Sequence, residues 1–220
     1  MIDNPQAPIT PQIDLPPRAQ PPPDARQNNK EGVRTILSTI AVLLIAPAVA
    51  LVLTLFVFQS YQVDGPSMET TLSNNDRLIV WKMPRTWARI TGHHYIPQRG
   101  DVIVFVAQNL NEFGQEPNKQ LIKRVVGLPG EKVAVHDGVL TVYNKTHPEG
   151  FRPDATLPYG KAIPTTNGDN EWTVGADEVF VCGDNRPNSL DSRSFGPIQT
   201  QDIVGKLILR ILPLGDAERF

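Results

Sequence analysis

The chain has 220 residues, 21 Lys and Arg against 23 Asp and Glu, and a formal net charge of −2. That balance is too even to argue for a nucleic-acid partner. A single cysteine, Cys182, excludes an internal disulfide and a cysteine-built metal site, so the fold must hold by packing and the thiol is expected to be buried.

Residues 1–34 carry four basic and four acidic side chains, and the first 29 contain eight prolines among Gln, Asn and Asp. With so little apolar surface to bury, residues 1–34 are expected to be a disordered cytoplasmic tail. Thr35 to Phe58 follows as 24 residues without a charge. At helical rise this is roughly 36 Å, enough to cross a ~30 Å hydrocarbon core, so 35–58 is expected to be one transmembrane helix. A cleaved signal peptide is the rival reading, because Ala48-Val49-Ala50 has the small-residue pattern of a cleavage site. The mature chain would then begin on the apolar run 51–58, a poor start for a soluble domain. Arg26, Lys30 and Arg34 precede the span closely, whereas the first basic residue beyond it is Arg77. The positive-inside tendency therefore puts the N-terminus in the cytoplasm and residues 59–220 outside, with Phe56, Phe58 and Tyr61 as an aromatic belt.

From Tyr61 onward short β-type runs alternate with Gly, Pro and Asn, and no segment sustains a helical period. The spacing predicts strands at 61–63, 77–82, 101–106, 119–126, 132–136, 139–143, 178–182 and 203–212, with Asp137-Gly138 as a two-residue hairpin turn. The run 203–212 is too short, and with Lys206 and Arg210 too charged, for a second span. Trp81, Trp87, Lys82, Arg85 and Arg89 are expected to form a packed strand followed by a solvated loop rather than a lip that touches lipid. Residues 144–176, rich in Pro, Gly, Asn and Thr, are expected to be a loop-rich excursion away from the chemistry.

Ser67, in Gly65-Pro66-Ser67-Met68, lies just past the span and needs a base to become a nucleophile. Strand alternation places Leu121, Lys123 and Val125 on one face and Ile122, Arg124 and Val126 on the other, so Lys123 is a candidate for burial among apolar neighbours. A free lysine with pKa of about 10.4 is neutral in only about one molecule in 2,500 at pH 7, but full burial shifts lysine down by about 3–5 units, into the range of a general base. His93, His94, His136 and His147 have no distinctive setting, the serine lacks a Gly-x-Ser-x-Gly elbow, and the histidine spacing offers no metal-ligand set.

Four ordered blocks make the sequence resemble the bacterial type I signal peptidases. They are Gly65-Pro66-Ser67-Met68-Glu69-Thr70-Thr71-Leu72, Arg99-Gly100-Asp101-Val102-Ile103-Val104-Phe105, Lys123-Arg124-Val125-Val126-Gly127-Leu128-Pro129-Gly130-Glu131, and Gly183-Asp184-Asn185-Arg186-Pro187-Asn188-Ser189-Leu190-Asp191-Ser192-Arg193. With the span they cover most of residues 35–212. The resemblance implies a mostly β, extracytoplasmic β-barrel-like or β-sandwich catalytic domain tethered by one N-terminal transmembrane helix. It implies a serine endopeptidase that removes signal peptides from secretory precursors, cutting after small residues through an acyl-enzyme on a Ser-Lys dyad. Ser67 would be the nucleophile, Lys123 its general base, Ser189 the hydroxyl that orients the lysine amine, and Asp191 with Arg193 an ion pair bracing the site. No metal or cofactor is implied. The expected setting is a bacterial cytoplasmic (inner) membrane, the expected partners are precursor proteins and the lipid bilayer, and a monomer is expected.

The chain departs from the family pattern at Thr70, where proline is common, and at Gly65, where some members place an oxyanion-donating serine. Two other functions stay open at this point. A self-cleaving Ser-Lys repressor would need a DNA-binding domain for which residues 1–34 are too short, and an inactive membrane-tethered β scaffold is opposed by the intact Ser67 and Lys123.

Overall fold

The computed structural model describes residues 25–108, 114, 116–156, 163 and 165–220. The expected tail thus lies outside the described residues up to position 24, and from Ala25 onward the chain is helical rather than irregular. Helix α1 (Ala25–Val52) contains Pro47 and runs on into a π-helical turn, Leu53–Val57. Gly32–Val57 is long and apolar enough to cross a membrane, and its most apolar 18-residue window has a mean hydropathy of 2.9. Its Ile36, Leu37, Leu43 and Leu44 are all exposed, as expected of a helix without protein around it.

Two compact units divide the chain, Met1–Ala48 and Val49–Phe220. The second is mostly β, confirming the expected fold class. Its main sheet has eight strands: β1 (Phe58–Gln62), β2 (Arg77–Trp81), β3 (Val102–Val106), β4 (Gln120–Gly127), β8 (Glu178–Cys182), β9 (Ile198–Gln199), β10 (Ile203–Leu212) and β11 (Glu218–Arg219). They are ordered β1-β2-β10-β3-β4-β8-β9, with β11 on β10, and every pairing is antiparallel. The sheet curls into a half-barrel. Run 203–212 is thus a long strand that joins β2 to β3, with register shifts that bend it.

A smaller sheet, β6-β5-β7, is built from β5 (Lys132–His136), β6 (Val139–Tyr143) and β7 (Asn170–Thr173). Asp137 (φ 50°) and Gly138 (φ 76°) both take the left-handed conformation that a tight two-residue hairpin demands. Strand β7 belongs to the excursion, which therefore supplies a paired edge rather than loop alone.

A correction concerns Trp87. The expected solvated loop is helix α2 (Met83–Thr91), started at Pro84 and stopped at Gly92, whose φ of 69° lets its N–H bond back to Ala88 O. Nine residues with only Ala88 buried give too few core positions for a helical period to stand out in the sequence. Trp87 is exposed on it.

Four apolar clusters fill the domain. One packs Ile103, Phe105, Val125, Val179 and Val181 on one side of the main sheet; a second packs Val126, Val133, Val142, Phe180 and Cys182 between the main and small sheets. A third sets Met68 and Leu72, from the turn after β1, against Val63, Leu78 and Leu207. The fourth centres on Val80, Val104 and Val204. Cys182 is fully buried as expected, and burial pushes its thiol well above the usual range.

Candidate active site

Ser67 sits in the turn after β1. Gly65 (φ 94°) reverses the chain there and donates its N–H to Asn74 Oδ1 at 3.0 Å. Met68 and Leu72, both wholly buried, pin the far side of the turn, so Ser67 is held half-exposed above a packed base. Thr70, three residues on, is exposed.

Lys123 lies in the middle of β4, opposite Ile103 of β3, with only 2% of its surface exposed. Leu121 and Val125 pack in one cluster while Ile122 packs in others, following the predicted alternation. The lysine Nζ is 2.7 Å from Ser67 Oγ and donates to Ile122 O at 2.9 Å. Burial lowers its pKa to about 8, against the opposing pull of Asp191, Cys182 and Asp184. At pH 7 about one lysine in ten is then neutral, some 250-fold more than for a free side chain. In that form the amine carries a lone pair into which the Ser67 hydroxyl can donate.

The fourth block wraps this pair. Asn185 N donates to Ser67 O at 3.1 Å and Asn185 Nδ2 to Pro66 O at 3.1 Å. Gly183 passes so close that a Cβ there would lie 2.4 Å from Ser67 O and 2.2 Å from Ser189 Oγ. Asp191, fully buried, receives Nε and Nη2 of Arg193, each at 2.8 Å, and the N–H of Gly183 at 2.9 Å. The hydroxyl of Ser189 is buried without a hydrogen-bond partner among the described residues, so the bond to the lysine amine that the resemblance implied is not formed. Ile122 O takes that place. Among the described residues the N–H of Ser67 has no acceptor and is left as a donor.

Arg124 and Asp184, both buried, had no role in the sequence analysis. Arg124, next to the lysine, forms a two-pronged pair with Asp184 (Nε–Oδ1 2.9 Å, Nη2–Oδ2 2.6 Å), and Thr71 Oγ1 donates to the same carboxylate at 2.5 Å. Alternation already placed Arg124 among Ile122 and Val126, and a buried guanidinium demands a carboxylate. That demand was the available signal for Asp184.

The histidines stand apart. His94, His136 and His147 pair with Asp177, Asp169 and Glu149 at sites about half exposed, and no histidine is bonded to Ser67 among the described residues. Nor do the described residues group three His, Cys, Asp or Glu side chains that could hold a metal ion. Beside the Ser67–Lys123 pair lies a cavity of about 120 Å³, lined by Tyr61–Asp64 on one side and Lys119–Ile122 on the other, with Leu78 and Val104 between them.

Comparison with known proteins gives the following matches. The family profile described as signal peptidase, peptidase S26, matches residues 36–212. Signal peptidase I of Leptolyngbya laminosa is 35% identical over 205 residues, 90% of this chain and 88% of that protein. Signal peptidase I P of Bacillus subtilis subsp. natto is 34% identical over 84% of this chain and 94% of its own length. A solved signal peptidase I from Enterococcus faecalis V583 is 28% identical and covers 50% of this chain and 96% of that one, with a TM-score of 0.37.

Proposed function

The chain belongs to the signal peptidase family, peptidase S26, whose members hydrolyse peptide bonds as serine endopeptidases, and from that premise we propose that Ser67 is its acylated nucleophile and Lys123 the general base. The observation that carries this reading is the 2.7 Å contact between Ser67 Oγ and a buried lysine amine whose pKa is lowered to about 8.

In the proposed reaction, neutral Lys123 takes the Ser67 proton as Oγ attacks the scissile carbonyl. The tetrahedral oxyanion is met by the N–H of Ser67, which has no acceptor among the described residues, since Gly65 brings no hydroxyl. The lysine ammonium then gives its proton to the leaving amine, an acyl-Ser67 ester remains, and a water deprotonated by the regenerated amine hydrolyses it. Ile122 O holds the amine in line through both halves. The substrate is a secretory precursor with small residues at the first and third positions before the cut. What favours small side chains is the 120 Å³ cavity, and a precursor laid as an extended strand between Tyr61–Asp64 and Lys119–Ile122 would present them to it. Residues 35–58 are proposed as the membrane anchor and 59–220 as the catalytic domain on the outer face of the cytoplasmic membrane.

The test uses purified protein in detergent with a secretory precursor. Ser67→Ala and Lys123→Arg should each reduce cleavage to background, because arginine keeps the charge but offers no lone pair near neutral pH. Cleavage by Lys123→Arg at the rate of the unmodified enzyme would remove the lysine from the mechanism.

A further inference from the structure

The excursion returns to the site through a group that the dyad does not explain. Arg186 is buried, and each nitrogen of its guanidinium is spent: Nη1 and Nη2 on Asp154 at 2.7 and 2.6 Å, Nη1 also on Thr166 Oγ1, and Nε on Gly183 O at 2.9 Å. Asp154 stands in the short turn α3 (Pro153–Thr156) on the outgoing arm of the excursion, and Thr166 on the returning arm. One position further on, Asn167 O accepts from Arg193 Nη1 at 3.2 Å, and Arg193 Nη2 donates to Arg186 O at 2.7 Å. Both described arms of 144–176 are therefore fastened to the block that wraps the dyad.

The point of attachment is Gly183. Its N–H is held by Asp191 and its carbonyl by Arg186, so both peptide units that flank its Cα are fixed, while that Cα lies against Ser67 O and Ser189. Two residues later Asn185 N holds Ser67 O directly. A buried ion pair is a poor stabiliser compared with apolar side chains of similar size, so energetics alone gives little reason for one here. Geometry gives a reason, since a misplacement of about 1 Å at a reacting group can cost about 100-fold in rate.

We propose that Asp154 and Arg186 are a positioning pair for the reaction, which ties the excursion to Gly183 and so fixes the backbone of Ser67 at bonding distance from Lys123. The proposal rests on the Ser67–Lys123 reading, and its loss would leave that reading intact.

Two variants are compared with the unmodified chain in detergent, each assayed well below its own melting temperature. Arg186→Lys keeps the charge opposite Asp154 but cannot reach Asp154, Thr166 and Gly183 O together. Asp154→Leu/Arg186→Met removes both charges and leaves neither unpaired. In each, kcat should fall by about 100-fold while KM stays within about twofold, and the double variant should melt near the unmodified chain. A purely structural pair would instead follow melting temperature, so that the stable double variant recovers kcat. Unmodified kcat in either folded variant overturns the proposal, and so does loss of the fold in both. A Ser67→Ala control that still cleaves would sink the dyad reading itself, whatever Arg186 does.

Discussion

Burying Lys123 within the sheet costs the fold stability. A shift from the usual lysine range to about 8 corresponds to about 3 kcal/mol of lost stability below pH 8, where the amine is protonated in both the folded and unfolded states. Because the folded state binds the proton less tightly, stability should rise as pH climbs from about 8 toward the unfolded lysine value. Lys123→Met is accordingly expected to raise the melting temperature at pH 7 while abolishing cleavage, as measured by thermal scans beside the activity assay. The same ionisation fixes the activity profile: kcat/KM should fall about tenfold per pH unit below about 8 and level off above it. A limb centred near 10 would mean an unburied lysine. At Gly183 there is no room for a methyl, so Gly183→Ala should push Ser67 or Ser189 aside and lose most of kcat, checked by single-turnover kinetics.

Among the elements, β4 does the most. It lies between β3 and β8, is buried on both faces, and presents Lys123 to the serine and Arg124 to Asp184. Gly127, where β4 ends against β8 and β5, would place a Cβ 2.6 Å from Val133 Cγ2 and 2.9 Å from Phe180 Cβ. Gly127→Ala should therefore destabilise the domain by roughly 1–3 kcal/mol, visible as a lower denaturant midpoint with an unchanged slope. The main strands were legible as short β-type runs bounded by Gly, Pro and Asn, and the hairpin as the dipeptide Asp137-Gly138, which takes positive φ at both positions. Helix α2, the edge strand β7 and the two-residue strands β9 and β11 were not, since each is too short or too polar to carry a period of its own.

For the whole molecule, the exposed apolar helix predicts that the full chain stays with the membrane pellet after alkaline carbonate extraction. The proposed orientation predicts that protease added to spheroplasts digests residues 59–220 while the N-terminal segment is protected; protection of the β domain would reverse it. The class of fold, the apolar span, the family and the candidacy of Ser67 and Lys123 were legible in local quantities: hydropathy, strand alternation and four short motifs. The tertiary structure alone decided what surrounds them. Arg124 meets Asp184 across 60 positions and Arg186 meets Asp154 across 32, and the lysine amine takes Ile122 O rather than Ser189 as its second partner. Partners so far apart in the chain become neighbours only when a sheet curls and an excursion folds back, and burial then makes each unmatched charge find its counterpart.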